Sequence, residues 1–121
     1  MGKLTTHVLD TAYGSPASYM AVRLYRLQGN VPQDAPVLIK SFMLNSDGRT
    51  DVPLLDGASF VPGRYRLVFA VAAYFAARGA ELAEPPVLDE VPLDFGLAPV
   101  GQHYHVPLLA SPFAYSTYRG S

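Results

Sequence analysis

The chain has 121 residues, 50% of them hydrophobic and 16% charged, with a formal net charge of −1, which fits one compact domain over residues 1–121 burying roughly 65% of its unfolded surface. The absence of cysteine excludes disulfides, thiolate zinc sites, iron–sulfur clusters and a cysteine nucleophile. Nine Lys and Arg against ten Asp and Glu, scattered along the chain, give no phosphate-neutralising face for nucleic acid, and no apolar run approaches the roughly 20 residues that cross a bilayer.

Ten glycines and eleven prolines cut the chain into short segments and point to strands joined by turns. The spacing predicts a first strand over Leu4–Asp10, a turn at Tyr13-Gly14-Ser15-Pro16 and a second strand over Ala21–Leu27. A polar loop from Gln28 to Pro36 leads to a strand over Val37–Leu44, and Asn45-Ser46-Asp47-Gly48 supplies turn residues before a short strand over Asp51–Leu55. Arg64–Val71 alternates, with Tyr65, Leu67 and Phe69 on one side and Arg64 and Arg66 on the other. Ala70–Ala77 reads as a helix of about two turns ended by Gly79. Glu84-Pro85-Pro86 then breaks the chain before strands over Val87–Phe95, Gln102–Leu109 and Phe113–Arg119, with a loop over Gly96–Gly101. About eight strands and one short helix make an all-β sandwich.

Of the three histidines, His103 and His105 share a strand and His7 lies on another. In the later strand Tyr104, Val106 and Leu108 form the apolar face, so both histidines point outward with Pro107. In the first strand Thr5, His7 and Leu9 oppose Leu4, Thr6 and Val8, and period alone leaves the inward side open. Three imidazoles with an open water position can ligate zinc, which makes a His-ligated zinc hydrolase one alternative. No HExxH motif or carboxylate companion accompanies them. Arg49 follows the turn glycine Gly48, and by position alone is a solvated hairpin arginine. A serine nucleophile elbow, a phosphate-binding glycine loop and a dinucleotide fingerprint are all missing.

Leu4-Thr-Thr-His-Val-Leu-Asp-Thr-Ala12 followed by Gly14-Ser-Pro-Ala17 resembles the opening of the transthyretin-related proteins. His103-Tyr-His-Val-Pro-Leu-Leu109 and Ser111-Pro-Phe-Ala-Tyr-Ser-Thr-Tyr-Arg-Gly-Ser121 resemble the closing signature of that family's enzymatic branch, the 5-hydroxyisourate hydrolases. Asp47-Gly-Arg-Thr50, Gly63-Arg-Tyr-Arg-Leu-Val-Phe69 and Ala73-Tyr-Phe-Ala-Ala-Arg-Gly79 match as well, so the resemblance covers essentially the whole chain. Ala70-Val-Ala and Ala114 depart from the family pattern, away from the proposed catalytic positions.

The resemblance implies a transthyretin-like β-sandwich and a site made of His7, Arg49 and His105, with Tyr118 and Ser121 of the C-terminal tetrapeptide lining the same pocket. His103 falls outside that catalytic set and stands as a surface or supporting residue. It further implies hydrolysis of 5-hydroxyisourate to 2-oxo-4-hydroxy-4-carboxy-5-ureidoimidazoline in urate catabolism, without cofactor or metal. One histidine, His105 by preference, would activate water, and Arg49 would orient the substrate. A homotetramer, as a dimer of dimers with sites at the dimer–dimer contact, belongs to the same expectation, and sends Leu4, Thr6 and Val8 inward. The chief alternative from another class is a transthyretin-like small-ligand binding protein without catalysis. The opening Met-Gly-Lys-Leu-Thr-Thr-His lacks the apolar stretch of a secretory signal and the end lacks a peroxisomal tripeptide, so a bacterial cytoplasmic location is expected.

Overall fold

The computed structural model of the protein describes residues 2–28, 35–99 and 102–120. The chain runs through β1 (Lys3–Thr5), β2 (Val8–Asp10), β3 (Ser15–Pro16), β4 (Ala21–Leu27), β5 (Val37–Met43), β6 (Leu55–Asp56), β7 (Gly63–Phe69), α1 (Val71–Ala77), β8 (Val91–Leu97), β9 (His103–His105), β10 (Leu108–Ala110) and β11 (Tyr115–Thr117). One layer is the antiparallel sheet β5-β4-β7-β8. The facing layer is made of β6-β1-β9 and β11-β10-β2-β3. These two run into each other, because the parallel pair β1–β9 continues as the parallel pair β2–β10. Hydrogen bonds from Val106 N to Thr5 O (2.9 Å) and from Leu108 N to His7 O (3.0 Å) carry the ladder across the junction.

Alternation builds the core between the layers. Leu4, Val8, Val106, Leu108 and Ala110 face Val22, Leu24, Tyr65, Leu67, Phe69, Val91 and Leu93. The side that period left open is therefore decided: Leu4, Thr6, Val8 and Asp10 are buried, while Thr5, His7 and Leu9 lie on the outer face. Thr6 is tolerated inside because its hydroxyl donates to Val106 O at 2.6 Å. On the outer face of the other layer Arg23 pairs with Glu90 and Arg66 with Asp94, exposed ion pairs that contribute little to stability.

The expected strands differ from the observed ones where pairing, not period, sets the limits. The expected strand over 4–10 is two strands, because its second edge is served by three successive partners: β6 beside Lys3 and Leu4, Arg49 beside His7, and β3 beside Leu9 and Asp10. The segment 102–109 divides at Val106-Pro107 into β9 and β10 for the same reason. The short strand expected over 51–55 forms only at Leu55–Asp56, and the one expected from Val87 begins at Val91. Residues 29–34 of the expected loop from Gln28 to Pro36, and residues 100 and 101 of the loop over Gly96–Gly101, lie outside the described residues.

Helix α1 buries Val71, Ala72, Tyr74 and Phe75 against the core. It ends as expected at Gly79 (φ +90°), with Ala80 N bonding to Phe75 O and Gly79 N to Ala76 O at 3.0 Å each, the Schellman arrangement that needs a left-handed residue. A buried carboxylate ties the helix to β2. Asp10 is 1% exposed; its Oδ1 accepts from Ala12 N and Tyr13 N (2.9 Å each), and its Oδ2 accepts from Tyr74 Oη at 2.7 Å. Among the described residues no helix is long and apolar enough to cross a membrane.

Candidate active site

Arg49 reaches His7 because the turn before it is closed by its own polar groups. Asn45 Oδ1 accepts from Asp47 N (2.9 Å) and Arg49 N (3.2 Å), Gly48 N bonds to Asn45 O (3.0 Å), and Asn45 N bonds to Arg49 O (2.7 Å). Gly48 sits at φ +73°, and a Cβ there would meet Val8 O at 2.5 Å, so only glycine fits. The turn docks on the first strand through Val8 N to Gly48 O at 2.9 Å, and His7 and Arg49 become antiparallel bridge partners. His7 Nε2 lies 2.9 Å from Asp47 O. A carbonyl only accepts, so Nε2 carries the hydrogen and Nδ1 keeps the lone pair of the neutral ring.

His105 ends β9 directly across from Thr5 in the parallel pair. Its Nδ1 lies 2.8 Å from Thr5 Oγ1. The chain end crosses beside it: Gly120 N donates to His105 O at 2.7 Å, and the two residues form an antiparallel bridge. Burial, Arg49, His7 and His103 together hold the His105 imidazole below the usual histidine range. Burial and then Arg49 lower His7 as well, against opposing pulls from the Asp47 carbonyl and carboxylate. Both rings are therefore neutral at neutral pH and able to take a proton. The exposed Arg49 guanidinium makes no hydrogen bond or ion pair among the described residues, yet its charge is felt at both imidazoles.

Three of the expected site residues, His7, Arg49 and His105, thus occupy one neighbourhood on the outer face. A cleft of about 160 Å³ lined by Thr5, Thr6, Arg49, Thr50, Asp51, Val52 and Pro53 opens beside them. Tyr118 is placed differently within the single chain. It is 61% exposed and lines a separate cleft of about 310 Å³ with Leu93, Phe95, Tyr104, Val106 and Arg119. Ser121 lies outside the described residues. Among the described residues no three His, Asp or Glu side chains are grouped so as to hold a metal ion. Thr5, which the resemblance sends outward with His7 alongside His105, and Gly120, a member of the C-terminal tetrapeptide, both touch His105, contacts that the sequence does not predict. The signal for Thr5 was its position two residues before His7, on the same strand face.

A two-layer β-sandwich with one short helix between β7 and β8, carrying two imidazoles and a guanidinium on its outer face, is a transthyretin-like domain. The model of the HIUase/Transthyretin family matches residues 4–120. The chain belongs to that family. It is 55% identical over 120 residues to 5-hydroxyisourate hydrolase 2 of Rhizobium meliloti (strain 1021), covering 99% of this chain and 97% of that one. Its structure resembles that of Klebsiella pneumoniae 5-hydroxyisourate hydrolase, at 31% identity and a TM-score of 0.78 with both chains fully covered. It also resembles (S)-allantoin synthase at 45% identity and a TM-score of 0.90, covering 99% of this chain but spanning only 44% of that longer one.

Proposed function

We propose that this protein is a 5-hydroxyisourate hydrolase in which His7, His105 and Arg49 carry the chemistry. The observation that supports it most is the Arg49 guanidinium, without a hydrogen-bond or ion-pair partner among the described residues, beside two imidazoles held neutral. Relatives named for this hydrolysis match nearly the whole chain.

In this mechanism His105 removes a proton from water as the water oxygen attacks a ring carbonyl of the substrate. Arg49 holds the carbonyl-rich ring through its planar fork and stabilises the oxyanion that forms. As the carbonyl re-forms, the ring C–N bond breaks. The proton held on imidazole passes to the departing nitrogen, and the product is 2-oxo-4-hydroxy-4-carboxy-5-ureidoimidazoline. His7, anchored through Nε2 to Asp47 O, orients the water with its Nδ1. Tyr118, which lines a separate cleft of the single chain, and Ser121 complete the substrate pocket only in the assembled oligomer. No cofactor takes part.

The pocket belongs to a homotetramer, a dimer of dimers in which a second copy closes the open cleft. Two features support this. A cleft of about 160 Å³ is small beside the roughly 300–1,000 Å³ of ligand pockets, and the same layer exposes apolar side chains, Leu9 on β2, Tyr115 on β11 and Phe113 just before β11.

The test is an ultraviolet assay with freshly generated 5-hydroxyisourate, run with and without chelator, alongside light scattering for the mass in solution. Accelerated decay that survives chelation by a particle of four chains is the expected outcome. Saturable binding without turnover would instead define a binding protein. Activity lost on chelation and regained with zinc would define a metal hydrolase.

A further inference from the structure

The Thr5 hydroxyl is placed between two imidazoles, 2.8 Å from His105 Nδ1 and 3.4 Å from His103 Nε2. The register explains the placement: Thr5 is the cross-strand partner of His105, and His103 lies two residues earlier on the same face of β9. A hydroxyl has one hydrogen to give and lone pairs to accept with. Three arrangements are self-consistent. Either His105 Nδ1–H donates to Oγ1 while Oγ1–H donates to His103 Nε2, or His103 Nε2–H donates to Oγ1 while Oγ1–H donates to His105 Nδ1, or both N–H groups donate to the two lone pairs of Oγ1 and its own hydrogen goes to neither ring.

Resting on the hydrolase assignment above, we infer that Thr5 is a positioning residue that takes the first arrangement, fixing His105 with its hydrogen on Nδ1 and its Nε2 lone pair free for the attacking water. The second arrangement puts the hydrogen on Nε2, and the third leaves the Oγ1 hydrogen with neither ring as its acceptor; the first both leaves Nε2 basic and uses the hydroxyl hydrogen between the two rings. It also needs no rearrangement during the reaction, because the Nδ1–H that Thr5 already accepts is the one the imidazolium keeps when Nε2 gains the water proton. Gly120, bonded to the His105 carbonyl, closes the other side of the ring, so His105 is held at both edges. The charged groups acting on His105 are Arg49, His7 and His103. Arg119, on the tail beside them, is engaged with Gln102 Oε1 at 2.9 Å. His103, exposed at the rim, acquires a role as the acceptor that orients the Thr5 hydroxyl.

The experiment combines kinetics with the 15N spectrum of the imidazoles in the full chain. The wild type is expected to show His105 protonated at Nδ1 and bare at Nε2. Thr5→Val, which keeps shape and loses the hydroxyl, is expected to show mixed tautomers and a kcat lowered about 10- to 100-fold, with KM changed less than about threefold. Thr5→Ser is expected to recover kcat to within about threefold, and His103→Phe to lose roughly threefold to tenfold. His105 protonated at Nε2 in the wild type, or Thr5→Val with unchanged kcat and tautomer, overturns the inference. So does His103→Phe with unchanged kcat. His105→Asn separates the two claims: retained turnover there removes the hydrolase mechanism itself, whereas lost turnover there with a fully active Thr5→Val removes only the role of Thr5. If Thr5→Val does not fold, the wild-type spectrum together with Thr5→Ser and His103→Phe still decides.

Discussion

Gly120 lies so close to His105 that a Cβ at position 120 would stand 2.6 Å from His105 Cδ2 and 3.2 Å from Cγ, while the Gly120 amide donates to the His105 carbonyl at 2.7 Å. The glycine is thus required by the ring it touches. Gly120→Ala is expected to displace the imidazole from its place beside Thr5 and to lower kcat/KM by about 10- to 100-fold, since misplacement of about an ångström costs that much. Thermal denaturation should change little, because Gly120 joins the fold through an isolated bridge at the rim rather than through the core. Steady-state kinetics and a melting curve on the same sample check both halves.

The direction of the histidine shifts sets the pH dependence. Both His7 and His105 titrate below the ordinary histidine value when folded, so the basic form that accepts the water proton is complete at neutral pH. A kcat/KM profile is expected to be flat through neutrality and to fall on the acid side, at a pH below the usual histidine midpoint. Stability follows the same sign. With folded values below the unfolded ones, the contribution of these rings is present above the unfolded value near 6.5 and is lost as pH falls through the lower folded values. Denaturant midpoints measured through the same range should decline on acidification.

Arg49 lowers both imidazoles and also binds the substrate in the proposed mechanism, and two variants separate these effects. Arg49→Lys keeps the charge and loses the planar fork, so kcat/KM is expected to fall about 10²- to 10³-fold with the acid limb unmoved. Arg49→Met removes the charge as well, and should additionally move the acid limb toward higher pH. Both profiles, recorded under the same ionic strength, provide the comparison.

Asp10 joins β2 to the helix and takes no part in the chemistry. In Asp10→Asn the amide NH₂ faces Tyr74 Oη and Arg78 Nη1, which lies 3.5 Å from the carboxylate in the native chain. The Tyr74 hydroxyl loses its acceptor in the interior, and about 1–3 kcal/mol of stability should be lost. Differential scanning calorimetry should show a Tm lower by several degrees. Turnover measured well below the transition should match the wild type.

Much of the architecture was legible because local rules carried it. The alternation of Tyr65, Leu67 and Phe69 with Arg64 and Arg66 predicts β7 and its buried face, and both are found. Alanine density followed by Gly79 predicts α1 and its end, and Asn45-Ser46-Asp47-Gly48 predicts the turn that presents Arg49. The motifs at the two ends of the chain pointed to the family, and the family is the one found.

What period could not decide was which side of Leu4–Asp10 faces the core, because each side carries one threonine and at least one apolar residue, Leu9 on one and Leu4 and Val8 on the other. The opposite sheet β5-β4-β7-β8 settles it by covering Leu4, Thr6 and Val8, which leaves Thr5 and His7 outside with His105. Nor did local spacing reveal that Thr5 meets His105 and His103, 100 and 98 positions away, or that Gly120 closes on the same ring. Composition and alternation determine each strand and the two faces it offers; the pairing of strands distant in sequence decides which side chains share a site, because cross-strand register has no local signature.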